Sequence, residues 1–358
     1  MRELKKDPNV IVIICLVVLN IFSLISLYSS IYYDFESQSS IFYKQILWFI
    51  ISWIFLIIFS LINYRLYYHL TIPIYMVTIF LLFLVDVFGK TAMGSQRWLS
   101  IGGFNLQPSE LSKITTILIL AKFFSKDRQT GFINVLCALS LVLINAFFIY
   151  KQPDLGSSLF IILLFFFVGF FSDVKKIYFF ILIIIASIFF SFSFKNLKDY
   201  QKKRLLVFVN PNIDPLGAGY TIIQSKIAIG SGKLFGKGFL GGTQNQFSFL
   251  PERHTDFIFT VIAEEWGFLG SIFLILIYYI ILKKILDISE QLKDSYAKIL
   301  CIGISANIFL GIFINMGMTM GILPVVGIPL LFISYGGSHL VSSFILMGIF
   351  LNISKQTN

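Results

Sequence analysis

Charge is what this sequence has least of. Only 13% of its 358 residues are Asp, Glu, Lys or Arg, while 57% are hydrophobic, a balance that excludes a water-soluble domain of this size. Cysteine is nearly absent. Cys15, Cys137 and Cys301 each lie inside a different apolar run with no metal-ligand spacing, so neither a disulfide framework nor a zinc site is implied and small buried apolar residues are expected. Histidine is as scarce: His69, His254 and His339 are dispersed, and no HExxH, CxxC or Ser-His-Asp order occurs, which sets aside zinc and serine hydrolases.

What the sequence has in abundance is long apolar runs. A hydrocarbon core of about 30 Å needs about 20 mostly apolar helical residues, and ten runs near that length stand between charges, glycines and prolines. They extend from Val10 to Tyr28, Ile46 to Ile62, Leu70 to Phe88, Leu106 to Phe124, Phe132 to Tyr150, Leu155 to Phe171, Ile177 to Phe194, Phe257 to Leu282, Ile299 to Leu323 and Gly336 to Ile353. The expected fold is therefore all-α: one polytopic membrane domain over 1–358, of about ten transmembrane helices, with a long extracytoplasmic loop at 195–256 between spans seven and eight. The first run follows Arg2, Lys5 and Lys6 but no small-residue cleavage site follows it, so it is read as a retained span.

Short cytoplasmic loops collect Lys and Arg. With both termini inside, the inner set holds Arg2, Lys5, Lys6, Arg65, Lys122, Lys126, Arg128, Lys175, Lys176, Lys283, Lys284, Lys293, Lys298 and Lys355, and the short outer loops only Lys44, Lys90, Arg97 and Lys151. The long loop breaks the pattern. Lys195, Lys198, Lys202, Lys203, Arg204, Lys226, Lys233, Lys237 and Arg253 outnumber Asp199, Asp214, Glu252 and Asp256, at a length where translocation starts to ignore charge. Within it, Tyr220 to Ile229 has the spacing of a short amphipathic helix. The glycine-rich run Gly230 to Gly242 then places Lys233 and Lys237 between glycines, a composition suited to backbone approach to an anion.

Gly, Pro and polar motifs gather in the outer links, so chemistry or binding is expected on the outer face. Charged groups in or at the ends of spans are functional candidates by default. Glu110 and Lys113 sit three apart on one helical face and can pair, either to hold substrate or only to orient their helix. Arg97 and Trp98 occupy an outer loop at headgroup level, as ligand contacts or as membrane anchors. Asp154 is a binding candidate or a charge at a helix amino terminus. Asp256 closes the basic loop beside Arg253 and His254, with Glu264 and Glu265 following, and is a proton acceptor or a helix cap.

At these motifs the sequence resembles the SEDS family (shape, elongation, division and sporulation), the bacterial RodA and FtsW proteins. The matching segments are QRWLSIGGFNLQPSELSK (Gln96 to Lys113), KQPDLGSS (Lys151 to Ser158), GTQNQFSFLPERHTDFIFTVIAEEWGFLG (Gly242 to Gly270) and GILPVVGIPLLFISYGGS (Gly321 to Ser338). PERHTDFIF and GILPVVGIP look like the RodA, elongation branch; Trp266 and His339 depart from the family pattern. The resemblance implies a peptidoglycan glycosyltransferase of the bacterial inner membrane that polymerises lipid II beside a class B penicillin-binding protein, among other elongation-complex membrane proteins, with Asp256 essential. It implies no nucleic-acid partner. No cofactor is required by the motifs, and a divalent cation is left open.

A polymerase on the outer face needs a donor already activated on a lipid. A diphosphate leaving group accounts for basic residues there: Arg97, Lys113, Lys233, Lys237, Arg253 and His254 are the expected contacts, with Trp98 and Asp154 beside them and Glu110 holding Lys113. Two rival functions compete, a lipid II flippase and a non-catalytic scaffold. A flippase needs a polar path to the inner face, whereas Asp86, Glu110, Asp154, Asp256, Glu264 and Glu265 gather in the outer half, which favours the polymerase.

Overall fold

The computed structural model describes residues 8–92, 95–101, 104–125, 131–193, 206–217, 219–247 and 249–355. Arg2, Lys5, Lys6, Lys126, Arg128, Lys195, Lys198, Asp199, Lys202, Lys203, Arg204 and the Phe194 end of the seventh run lie outside the described residues. Each of the ten predicted runs falls on a helix: α1 Pro8–Ile31, α2 Phe35–Leu61, α3 Tyr64–Phe88, α4 Pro108–Phe124, α5 Phe132–Lys151, α6 Leu155–Phe171, α7 Lys176–Ser193, α10 Ile258–Gln291, α11 Ser295–Thr319 and α12 Gly337–Ser354. Two shorter helices, α8 Tyr220–Ser231 and α9 Thr243–Gln246, belong to the long loop, and α8 covers the amphipathic stretch expected there. By length and apolarity, six described segments suffice to cross a membrane, the first of them, Asn9–Leu61, taking in both α1 and α2; Leu155–Phe171 and Lys176–Ser187 are apolar but shorter. The α4 helix, 17 residues long and interrupted by Glu110, Lys113 and Lys122, is in neither group. Its charged face is tolerated because the helix is surrounded by protein, with Glu110 and Lys113 buried and Ile114 to Ala121 buried without interruption, away from lipid.

One apolar core joins the helices, drawing on α1, α4, α6, α10, α11 and α12. The start of α1 and the end of α12 meet at one end of the bundle, where Ser354 Oγ donates to Asn9 Oδ1. Lys122 Nζ caps the Tyr68 carbonyl at 3.0 Å there, and Asn352 Oδ1 accepts Tyr64 N–H at 2.9 Å.

The opposite end is more elaborate than the predicted loops. Where an outer loop after the third span was expected, β1 Lys90–Ala92, β2 Ser95–Ile101 and β3 Phe104–Leu106 form an antiparallel sheet in the order β1-β2-β3, which also corrects the predicted start of the fourth span, since Leu106 is strand. Lys90 opposes Trp98 and Leu99 opposes Leu106. Gln96 Nε2 donates to Gly89 O at 2.8 Å and turns the chain out of α3. Pro108 then starts α4 at the position where its missing N–H costs nothing.

The eighth run is longer than predicted and is not one helix. Within α10, Gly267 adopts φ 64° and ψ −156°, a region essentially restricted to glycine, and the helix breaks there. A break frees carbonyls before it and N–H groups after it, and membrane depth offers no water to satisfy them. The glycine-rich run supplies the partners. Lys237 N–H and Gly238 N–H donate to the Glu264 and Glu265 carbonyls, each at 3.0 Å, while Phe268 N–H and Leu269 N–H donate to the Lys233 and Leu234 carbonyls at 2.9 and 3.2 Å. The close backbone approach read from the glycines is made to a broken helix.

Candidate functional site

Asp256 ends the long loop two residues before α10 begins. Its side chain is half-buried, and among the described residues its carboxylate has neither a hydrogen-bond donor nor an ion-pair partner. Gly327, at φ +72°, lies so close that a Cβ there would stand 3.2 Å from Asp256 Oδ2. Burial pushes the Asp256 carboxyl up to about 7, Glu252 adds to the rise, Arg97 opposes it and Asp154 adds a smaller push. The group is thus poised between its charged and neutral forms near neutral pH.

Two of its charged neighbours come from distant elements. Arg97, on β2, donates to the Pro153 carbonyl at 2.6 Å and lies 3.8 Å from Asp154 Oδ1. Asp154 caps α6, accepting Ser157 N–H at 3.1 Å, so the helix-cap reading of this residue holds while it also faces Arg97. The segment 321–336 between α11 and α12 closes the site from the remaining side. Val326 packs on α6, where a Cβ on Gly156 would come within 2.2 Å of its carbonyl oxygen.

The other expected site residues are deployed differently. Arg253 is buried and its guanidinium binds the Ser30 carbonyl at 2.5 Å and Asp34 Oδ2 at 2.8 Å, tying the loop to the end of α1; its charge is neutralised by Asp34 and not held open for a ligand. Lys237 Nζ meets Glu264 Oε1 at 2.7 Å and Thr243 Oγ1 at 2.8 Å. Glu264 also takes the N–H groups of Gln244 and Asn245 at 3.0 and 3.3 Å and Asn245 Nδ2 at 2.6 Å, so this pair anchors the loop to α10. Lys233 is exposed at the surface, its carbonyl engaged by Phe268. Trp98 is half-buried in the sheet. His254 is held beside Tyr335, ring centroids 5.9 Å apart; burial lowers its pKa, with Glu252 opposing and Arg253 adding to the fall, so its imidazole is neutral at pH 7.

Glu110 and Lys113 form an interior pair at 2.6 Å. Ser342 Oγ of α12 donates to Glu110 Oε2 at 3.1 Å, and Lys113 Nζ stands 4.7 Å from the centre of the Phe160 ring of α6. The pair therefore ties α4 to α6 and α12; no direct contact joins it to Asp256. Among the described residues no group of three or more His, Cys, Asp or Glu side chains is placed to hold a metal ion.

A family model described as a cell cycle protein, FtsW/RodA/SpoVE, matches residues 9–358. The chain belongs to this family. Among its relatives, the peptidoglycan glycosyltransferase MrdB of Escherichia coli strain K12 is 40% identical over 287 residues, which cover 78% of this chain and 76% of MrdB. The peptidoglycan glycosyltransferase RodA of Treponema pallidum is 29% identical over 386 residues, 87% of this chain and 89% of that one. A chain solved in a study of the structural coordination of polymerization and crosslinking by a peptidoglycan synthase complex matches with a TM-score of 0.83 at 24% identity, over 97% of each chain. Thermus thermophilus RodA, solved as an Asp-to-Ala mutant, matches with a TM-score of 0.72 at 23% identity, over 96% of each. At such identities the structural likeness carries the fold alone.

For this FtsW/RodA/SpoVE family member, a multi-pass protein of the bacterial inner membrane, the sequence reading missed three contributors to the site. Glu252 was visible only as one acid among basic residues, and its effect on Asp256 needs the turn that brings them together. Asn315, whose Nδ2 donates to the Asp256 carbonyl, and Gly327 carry no charge and lie 59 and 71 residues beyond Asp256 in the chain. An amide inside an apolar span was the available signal for Asn315.

Proposed function

We propose that this peptidoglycan glycosyltransferase polymerises lipid II, a disaccharide-peptide carried on a polyprenyl diphosphate, with Asp256 as its general base. The observation that carries the reading is the open Asp256 carboxylate. It is the one acid of the predicted site that lacks a partner among the described residues: Glu110 is paired with Lys113 and Asp154 caps α6 beside Arg97.

The base takes the proton from the 4-hydroxyl of the acceptor sugar as that oxygen attacks the anomeric carbon of the donor. Attack opposite the leaving diphosphate converts an α-linked donor into a β-linked glycan in one step, so one carboxylate suffices where a glycosidase needs two. A pKa near the working pH is what general-base catalysis favours, because the group is both substantially ionised and basic enough to accept. Arg97 is placed to meet the diphosphate as charge develops on it, with Trp98 and His254 alongside. Exposed Lys233 is a further basic group in the loop. Lys113, Glu110, Lys237 and Arg253 serve the reaction by fixing the elements that carry the site.

The orientation follows the distribution of Lys and Arg: termini and basic short loops inside, the Asp256 end outside. There the chain is suited to work beside a class B penicillin-binding protein that cross-links its product. Incubating purified protein and its Asp256→Asn variant with lipid II and resolving the glycan products tests the reading. Loss of polymer in a folded variant is expected, and polymer at parental levels would assign the base elsewhere, first to His254 or Glu264.

A further inference from the structure

Three consecutive backbone carbonyls at the site are each gripped from outside their own turn. Tyr335 N–H donates to His254 O at 2.9 Å, Ser334 Oγ to Thr255 O at 2.6 Å, and Asn315 Nδ2 to Asp256 O at 2.8 Å. Two of the three grips are double. Asn315 Nδ2 also donates to Ile328 O at 2.8 Å, and Ser334 Oγ accepts Leu330 N–H at 2.8 Å. Each side chain thereby joins the Asp256 turn to the 321–336 segment, the segment that sets Gly327 against the carboxylate. The Asn315 amide has only one admissible orientation, because turning it over would aim its oxygen at two carbonyl acceptors. Both side chains are 0% exposed, so water cannot take over a bond that is removed.

The local turn accounts for less. Within it, Thr255 N–H and Phe257 N–H both donate to Glu252 O, at 3.1 and 3.3 Å. Those bonds shape the turn but do not fix where it stands relative to β2, α6 and the 321–336 segment. The outside grips tie it to α11 and the 321–336 segment, and they act on backbone, leaving the Asp256 carboxylate open.

We infer that Asn315 and Ser334 are positioning residues for glycosyl transfer, holding the Asp256 carboxylate at a fixed place against the acceptor hydroxyl without touching substrate. The inference rests on Asp256 being the base. A reacting group displaced by about 1 Å can lose about 100-fold in rate, so the clamp acts on turnover and not on substrate affinity. It also governs the setting of the carboxylate. The charged groups facing Asp256 are Glu252 from its own turn, Arg97 from β2 and Asp154 from α6; α11 and the 321–336 segment present only uncharged Asn315 and Gly327.

The test compares Asn315→Ala, Ser334→Ala and Asp256→Asn as purified full-length proteins, measuring lipid II polymerisation against substrate concentration and pH, and normalising to folded protein by detergent melting. The clamp predicts that each of the two alanine variants loses roughly 10-fold to 100-fold in kcat with the half-saturating lipid II concentration within about twofold of the parent, and that the acid limb of its kcat profile moves down as the loosened turn admits water to the carboxylate. A residue needed only for folding lowers the yield of protein but leaves the kcat of the folded fraction and the acid limb where they were. That outcome, together with an inactive Asp256→Asn, overturns the clamp. Should Asn315→Ala fail to accumulate, Ser334→Ala decides by the same two readouts. Full activity in Asp256→Asn removes the base itself, a failure distinct from that of the clamp.

Discussion

A carboxylate that accepts a proton from a sugar hydroxyl must be dry enough to be basic and open enough to be reached. Asp256 is half-buried, lacks a hydrogen-bond donor among the described residues and is pushed up to about 7, first by burial and then by Glu252. The consequence for rate has a definite sign. Below pH 7 the carboxyl is protonated and cannot act as a base, so kcat for lipid II polymerisation should fall as pH drops through about 7; an ordinary carboxylate would place that limb near pH 4. A kcat flat between pH 5 and 8 would exclude a base held near 7 and leave the Asn substitution to decide whether Asp256 is the base. Replacing it by Asn preserves size and should cost roughly 100-fold or more in polymerisation, whereas a residue that merely capped α10 would cost about 1 kcal/mol of stability. For Arg97, change to Ala should raise the lipid II concentration needed for half-maximal rate, and change to Lys should restore only part of it, since a guanidinium fork can hold two phosphate oxygens. Dependence on lipid II identical to the parent in Arg97→Ala would remove Arg97 from the site. These residues were legible in the sequence because an ionisable group at the end of an apolar run is conspicuous. The Asn315 and Ser334 grips were not, because uncharged side chains signal their partners only once distant segments meet.

At the scale of elements, the break in α10 explains the composition of the long loop better than its charge does. The freed Glu264 and Glu265 carbonyls and the Phe268 and Leu269 N–H groups are all satisfied by residues 233–238, and at Gly267 an added Cβ would meet Gly236 N at 2.3 Å and Gly232 O at 2.8 Å. Gly267→Ala should therefore destabilise the folded protein by at least about 1–3 kcal/mol from backbone strain alone, read as a lowered melting temperature in detergent. A variant melting with the parent would show that the two segments are not locked together. Helix positions were legible because the bilayer imposes length and apolarity on any crossing helix. The sheet was not: β1 and β3 have three residues each, and β2, SQRWLSI, does not alternate polar and apolar residues. Nor was the fate of Lys237 and Arg253, since Glu264 and Asp34, which bind them, lie 27 and 219 residues away in the chain.

At the scale of the whole molecule, the two ends of the bundle differ in kind, and that difference carries the assignment of sides. One end gathers the start of α1, the end of α12 and the helix ends and turns bearing Arg65, Lys122, Lys293 and Lys298; the other gathers the sheet, α8, α9, the 321–336 segment and Asp256. With the basic short loops on the cytoplasmic side, as proposed, Asp256 would lie outside, where a lipid-linked donor is the available form of activated sugar. The long loop is the exception that tests the rule, because Lys226, Lys233 and Lys237 lie on the side that short-loop charge assigns to the exterior. Single cysteines decide between them. In a Cys137→Ala background, which removes the exposed native thiol, Leu216→Cys sits in the long loop at a residue 91% exposed and should react with a membrane-impermeant maleimide in spheroplasts. Lys293→Cys, exposed in the turn between α10 and α11, should react only after the membrane is opened. The opposite pattern would put Asp256 in the cytoplasm, facing activated nucleotide sugars and not an exported lipid-linked donor, and the proposed polymerisation on the outer face would fall with it.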